Sequence, residues 1–424
     1  MKRGFSAGGS KGKRPRGDDQ LDDDLDEAVF DEETMALEDT LASFDDSIPS
    51  EDTLRACWSR GCPDSLIDND VNLAFQWCDI DVISGSPLPS NPDGTKVIGS
   101  TQGPVPIIRL YGVTAKGSSV LAFVHGFVPY MYASVATGID ISAQNLPAIR
   151  NALDQKMKDR AKGEEKKIAN FILGVDREAN KQSLLGYHFG QTKDFLKVYV
   201  ALPSLVPSVK RIFDEGFIVP GLGSISGQTY ESNVPFVLRF MIDCGINGSD
   251  WIEVPAGSYC LRDKKNSVSR CSMELDVTFN NLRPKVPEGV WSALAPLRIL
   301  SFDIECQGRK GHFPDAQSDP VIQIANTVTL QGSEVPIIRN VFTLNTCLPI
   351  VNAQVICSES EEEMLSKWRD FVVSVDPDIL TGYNIANFDI PYLLNRAKAL
   401  EKKSDMLKKF SDLGKIKVKI VLCV

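Results

Sequence analysis

Two carboxylates separated by one residue, Asp303 and Glu305, close a mostly apolar run at residues 297–306 (LRILSFDIEC). A run of this kind, with its polar load at the C-terminal end, predicts a buried strand. Strand side chains alternate between faces, so Asp303 and Glu305 share one face and Ile304 takes the other. At about 4 Å and an effective dielectric near 20, two like charges repel by roughly 4 kcal/mol. A divalent cation between them turns that repulsion into coordination, because hard cations such as magnesium take oxygen ligands. Taken alone, the same two acids equally describe a solvated strand end, and a pattern this short does not separate the readings.

A second stretch adds a third acid. Residues 379–394 (ILTGYNIANFDIPYLL) predict a short strand over 379–383, a turn over 384–387 and a helix with Pro391 in its first turn. Asp389 then stands at a helix start, where the macrodipole favours an ionised carboxylate. A strand-to-helix corner of this kind is able to face Asp303 and Glu305.

SFDIEC resembles the first exonuclease motif of family B DNA polymerases, and YNIANFD resembles the second, Asn-x-x-(x)-Phe-Asp. The flanking text, DPVIQIA at 319–325 and TGYNIANFDIPYLLNRA at 381–397, is similar to the replicative eukaryotic members. The resemblance covers residues 70 to 420, roughly, and only the front part of such an enzyme. It implies 3′→5′ exonucleolytic proofreading by two Mg2+ or Mn2+ ions, within a DNA-directed polymerase of the nucleus. Asp303 would bridge the two ions, Glu305 would bind the ion carrying the nucleophilic water, and Asp389 would hold the other directly or through water. Asn384 and Phe388 would position the frayed primer end. The implied partner is DNA, as a single-stranded 3′ end or primer–template. A sliding clamp and regulatory subunits would join the full-length enzyme.

The sequence departs from the family's pattern at one point. A third motif, Tyr-x-x-x-Asp, supplies a fourth carboxylate and a tyrosine in that family. Only 35 residues follow Asp389, and none forms it. The expectation is therefore a truncated gene model, splice product or fragment, lacking the polymerase domain and weak in proofreading. The alternative is a catalytically inactive nucleic-acid-binding portion.

The elements that must position these residues form an α/β (α+β) chain. A disordered tail over 1–52 is expected, then a β-rich mixed domain over 73–280, a Pro-rich linker over 281–296, and an incomplete ribonuclease H-like domain over 297–424. In the β-rich part, strands at 105–111 and 120–128 flank a hairpin turn, Thr114-Ala-Lys-Gly117. Leu146, Ile149, Leu153 and Met157 repeat at helical spacing, and 196–202 and 234–244 read as strands. Tyr130, Tyr132 and Tyr187 carry two readings, base stacking and ordinary packing. In the later part, strands are expected at 297–304, 321–330 and 336–344, then a helix, the strand at 379–383 and a helix at 390–401. Ser358 and Glu361 offer a capping box for the first helix. Met364, Leu365, Trp368, Phe371 and Val372 form its apolar face, and Asp376-Pro377 ends it. From Arg396 to Lys419 nine bases face three acids, which suits either phosphates or a solvated amphipathic helix and edge strand, and the final KIKVKIVLCV reads as an apolar strand.

Composition bounds the remaining classes. No apolar run reaches the length of a membrane span, so no membrane partner is expected. The start, MKRGFSAGG, carries no secretory signal. Ten cysteines stand singly without Cys-x-x-Cys, which predicts reduced thiols and neither a zinc site nor an iron–sulfur cluster. The net charge of −10 belongs to the tail, where six bases in 1–16 precede sixteen acids in 18–52. Such a segment buries too little apolar surface to fold. Its basic run at 11–16 (KGKRPR) reads either as a nuclear import signal or as plain solvated charge.

Overall fold

The computed structural model describes residues 58–61, 70–91, 102–136, 138–182, 189–402 and 404–417. All of them fall in one compact unit, residues 57–424. The tail at 1–52, its basic run, Tyr187 and residues 418–424 lie outside the described residues.

The N-terminal half contains two sheets. β1 (Leu73–Gly85), β2 (Val105–Thr114), β3 (Ser119–His125), β10 (Trp251–Val254), β11 (Tyr259–Leu261), β12 (Met273–Thr278) and β13 (Arg283–Lys285) form a seven-stranded sheet in the order β11-β12-β3-β2-β1-β10-β13. The expected hairpin joins β2 to β3, with Gly117 at φ 92° in its turn. A four-stranded sheet, β5-β6-β4-β9, is built from β4 (Tyr130–Ser134), β5 (Ile172–Gln182), β6 (Thr192–Val200) and β9 (Thr229–Tyr230). Helices α1 (Leu146–Arg160) and α2 (Val206–Glu215) cross between its strands, and the short β7 (Phe217–Val219) and β8 (Gly223–Ile225) pair with each other. Ile149, Leu153 and Met157 of α1 are buried in one cluster with Met131, Leu196 and Val198, as the helical spacing predicts. Tyr130 and Tyr132 lie on the other face, half-buried. The Tyr130 hydroxyl donates to Asp243 at 2.6 Å, and the Lys197 ammonium lies 4.0 Å from its ring centre.

Three readings of this half are corrected. Residues 234–244 do not form a strand: Phe236–Cys244 is helix α3, entered at Pro235 and ended by Gly245 in the left-handed region at φ 65°. The apolar run concealed its period, while the proline and glycine at its ends were the helix signals. Ordered structure also begins before Leu73. Trp58 is buried, with its ring edge-on to Phe371 at 5.1 Å and tilted against Phe342 at 6.2 Å. Finally, part of the Pro-rich stretch pairs as β13, and Trp291 packs on Trp251 at 5.8 Å.

The site-bearing sheet has the order β17-β16-β15-β14-β18. β14 (Arg298–Cys306), β15 (Val321–Leu330) and β16 (Ile338–Leu344) are antiparallel neighbours. β17 (Gln354–Ser358), which was not expected, runs parallel to β16, and β18 (Ile379–Thr381) runs parallel to β14. Helix α4 (Glu361–Val375) buries Met364, Leu365, Trp368, Phe371 and Val372, the face its period predicts. Its cap lies two residues later than expected. The Ser360 hydroxyl accepts from the Glu363 amide at 3.2 Å, because Ser358 is the last residue of β17. The Trp368 indole donates to Asn326 at 2.9 Å and tilts against Phe302 at 5.4 Å, which locks α4 to the sheet.

A buried ion network lies where α4 ends. Asp378 accepts from Arg60 and, at 2.8 Å, from the Arg298 amide, while Lys415 reaches Asp376 at 2.9 Å and Asp378 at 3.0 Å. The Ser119 hydroxyl of β3 donates to Asp376 at 2.8 Å. The terminal stretch expected as a strand is described only to Lys417. Its backbone bonds to residues 268 and 270, so it adds to the N-terminal half.

Candidate active site

β14 delivers the first two acids as the alternation demands. Leu300, Phe302 and Ile304 are buried, and Asp303 and Glu305 are exposed on the other face. Asp389 opens helix α5 (Asp389–Glu401) and is 1% exposed. Its Oδ1 accepts from the Ile304 amide at 3.2 Å. Burial pushes its carboxyl above the usual aspartate range, and the neighbouring Asp303 charge pushes the same way. Asp303 and Asp389 therefore meet. Glu305 shares their face two residues along the strand, and the structure gives it no tie to Asp389. Among the described residues no three Asp, Glu, His or Cys side chains gather closely enough to hold one ion.

The corner before α5 owes its shape to two residues. A Cβ on Gly382 would lie 2.5 Å from the Phe302 carbonyl oxygen and against the Ile385 side chain, so glycine lets the turn approach β14 beside Asp303. Asn384 adopts φ 54°, a left-handed conformation that Asn tolerates. Its carbonyl accepts from the amides of Asn387 and Phe388, both at 3.1 Å, and its side chain accepts from Asn387 at 2.9 Å. Phe388 is half-buried, with Tyr392 at 5.6 Å on one side and Phe313 at 5.4 Å on another. Phe313, 77% exposed, was not singled out in the sequence. It sits in the loop between β14 and β15, in a basic run (GRKGHF), and an exposed aromatic among cations was the available signal.

The expected phosphate-facing run after Arg396 is not uniformly available. Arg396 is bonded to Glu361 at 2.7 and 2.9 Å, and Lys415 belongs to the ion network.

Asp389 also provides the test for a cation. Its Oδ2 is buried and has no hydrogen-bond partner, and its oxygen-rich neighbour repels it. A hard divalent cation would supply a partner for that oxygen and offset the Asp303–Asp389 repulsion, with these two carboxylates rather than three as its gathered protein donors.

The profile described as DNA polymerase family B, exonuclease domain, matches residues 227–423. The chain belongs to the family B DNA polymerases. It is 41% identical over 401 residues to the DNA polymerase delta catalytic subunit of Drosophila melanogaster, covering 91% of this chain and 35% of that one. It is likewise 41% identical over 404 residues to the Arabidopsis thaliana subunit of that name, covering 93% and 35%. A solved family B DNA polymerase from Pyrobaculum calidifontis is similar at TM-score 0.49 and 24% identity, over 77% of this chain and 32% of that one. The chain thus spans about a third of the length of the curated relatives it matches. It corresponds to the N-terminal and exonuclease region of a delta catalytic subunit, and a family B exonuclease domain uses divalent metal.

Proposed function

We propose that residues 297–417 contribute a 3′→5′ exonuclease site that hydrolyses the terminal phosphodiester of single-stranded DNA and releases mononucleotides. The observation that carries this reading is the buried, partnerless Asp389 oxygen beside Asp303. Asp303, Glu305 and Asp389 would hold two Mg2+ or Mn2+ ions. When bound, such ions activate the attacking water and stabilise the leaving 3′ oxygen. The chain's own residues do the rest. Asp303 and Glu305 present carboxylates along one strand face, and Asp389 adds a third from a helix start. Asn384 shapes the turn that turns Phe388 toward the same corner. Phe388 and Phe313 offer ring faces on which the unpaired terminal base would stack.

The whole protein would be a replicative DNA polymerase delta catalytic subunit that proofreads in the nucleus. It would act with a sliding clamp and regulatory subunits, and residues 11–16 would serve as its import signal. The 1–424 chain would cleave far more slowly than a chain extended through Tyr-x-x-x-Asp.

The experiment compares both chains on 5′-labelled single-stranded DNA. We expect ladder products that require Mg2+ or Mn2+, disappear in EDTA and disappear in Asp303→Ala, with the longer chain much faster. Degradation that survives both EDTA and Asp303→Ala would overturn the reading. A chain that binds DNA with no cleavage in either length would instead support a non-catalytic nucleic-acid-binding portion.

A further inference from the structure

We infer that Glu361 and Arg396 form a positioning pair that sets where Asp389 stands against β14. The inference rests on the exonuclease reading for its purpose, though not for its geometry.

A helix repeats every 3.6 residues, so positions 389, 392, 393 and 396 lie along one stripe of α5. That stripe faces the sheet: Asp389, Tyr392, Leu393 and Arg396 are all buried. The apolar members set how deep the helix lies, but dispersion contacts are not directional. The polar members fix its rotation and its position along its axis. The Arg396 guanidinium forks onto Glu361, with Nε donating to Oε1 at 2.9 Å and Nη2 donating to Oε2 at 2.7 Å. Glu361 Oε1 also accepts from the amide of Val321, the first residue of β15, at 2.8 Å. Glu361 is itself the first residue of α4, where the helix dipole favours its charge. One carboxylate therefore joins α4, α5 and β15, and it is 7% exposed against 8% for Arg396.

The same stripe also holds the loop that carries Phe313. The Tyr392 hydroxyl donates to the Asp319 carbonyl at 2.8 Å, and Arg396 Nη1 donates to the Ala316 carbonyl at 3.3 Å. The Asp319 carboxylate accepts from Arg309 at 3.0 Å and from the Asp315 amide at 2.8 Å. Acid and aromatic are thus carried by one hydrogen-bonded frame, and the fork is its anchor at the far end of the stripe from Asp389.

A merely stabilising role is the competing account. Well-packed apolar residues replace a buried ion pair at little or no cost in stability. What they cannot replace is direction, because a bidentate fork fixes orientation as well as separation. The variants follow from this contrast. Glu361→Met with Arg396→Met, in the 1–424 chain, removes direction and keeps bulk. Arg396→Lys keeps charge and loses the fork, and it serves if the double variant does not fold.

Two readouts are taken beside the melting temperature. One is amide exchange at Ile304, whose N–H donates to Asp389, and it needs no metal. The other is Mn2+ binding followed by its paramagnetic resonance. We expect near-native melting, faster exchange at Ile304, and Mn2+ affinity lower by about tenfold or more, the loss typical when a group orienting a ligand is removed. Unchanged Ile304 exchange and unchanged Mn2+ affinity in a folded variant would overturn the inference. If the unmutated chain binds no Mn2+ while the variants still expose Ile304, the positioning role stands and the exonuclease reading falls.

Discussion

Asp389 is the residue at which the site's electrostatics concentrate. Its folded-state pKa lies above the ordinary aspartate value of 3.8, so between those two values the native state holds a proton that the unfolded chain has released. In metal-free buffer this residue's contribution to stability is full below that value and is lost as pH rises through the folded pKa. Asp378 has the opposite sign. Arg60 and Lys415 hold its pKa below 3.8 despite burial, so its contribution is present above that value and is lost as pH falls through the depressed pKa. Asp389→Asn should keep the bond from the Ile304 amide and offer a donor to Asp303. It should stabilise the metal-free chain at pH 7 by about 1 kcal/mol, the net worth of one hydrogen bond. Denaturant melts in EDTA check this. Adding Mn2+ should then raise the melting temperature of the unmutated chain and leave that of the variant unmoved.

At the scale of elements, the β18-to-α5 corner depends on the absence of one side chain. Gly382→Ala places a methyl group against the Phe302 carbonyl and the Ile385 side chain. The clash should cost about 1–3 kcal/mol and displace the turn from β14. Melting together with Mn2+ titration tests it, and both are expected to fall. The start of α4 is simpler. Ser360→Ala removes the cap to Glu363 and should cost about 1 kcal/mol, seen as a shifted denaturant midpoint with the same slope.

At the scale of the molecule, residues 58–60 pack against the site-bearing half, through Trp58 on Phe342 and Phe371 and Arg60 on Asp376 and Asp378. Deleting 1–52 should leave the melting temperature unchanged. Trp58→Ala should cost about 3–5 kcal/mol, because it opens a cavity between Phe342 and Phe371. Equal melting of the Trp58→Ala chain and the unmutated chain would show that this ring does not hold α4 to its sheet. Lys415→Met leaves Asp376 and Asp378 one cation short. Removing one partner of a buried pair typically costs about 3–5 kcal/mol, so this chain should unfold well before the unmutated one.

The sequence by itself determined what depends on local periodicity. The shared face of Asp303 and Glu305, the helix start at Asp389, the apolar face of α4 and the hairpin after β2 all follow from periods of two or 3.6 residues and from turn chemistry. The motif order also identified the family. Where period was hidden, as in the apolar run of α3, the local reading failed. Partners distant along the chain were decided only in the tertiary structure. These include Trp58 against Phe371, Lys415 with Asp376, Glu361 with Arg396, and Asp303 close enough to raise the pKa of Asp389. The physical reason is that burial, low dielectric and directional pairing arise between elements. No spacing along one chain encodes which charge will lose its water, or which other charge will be there to meet it.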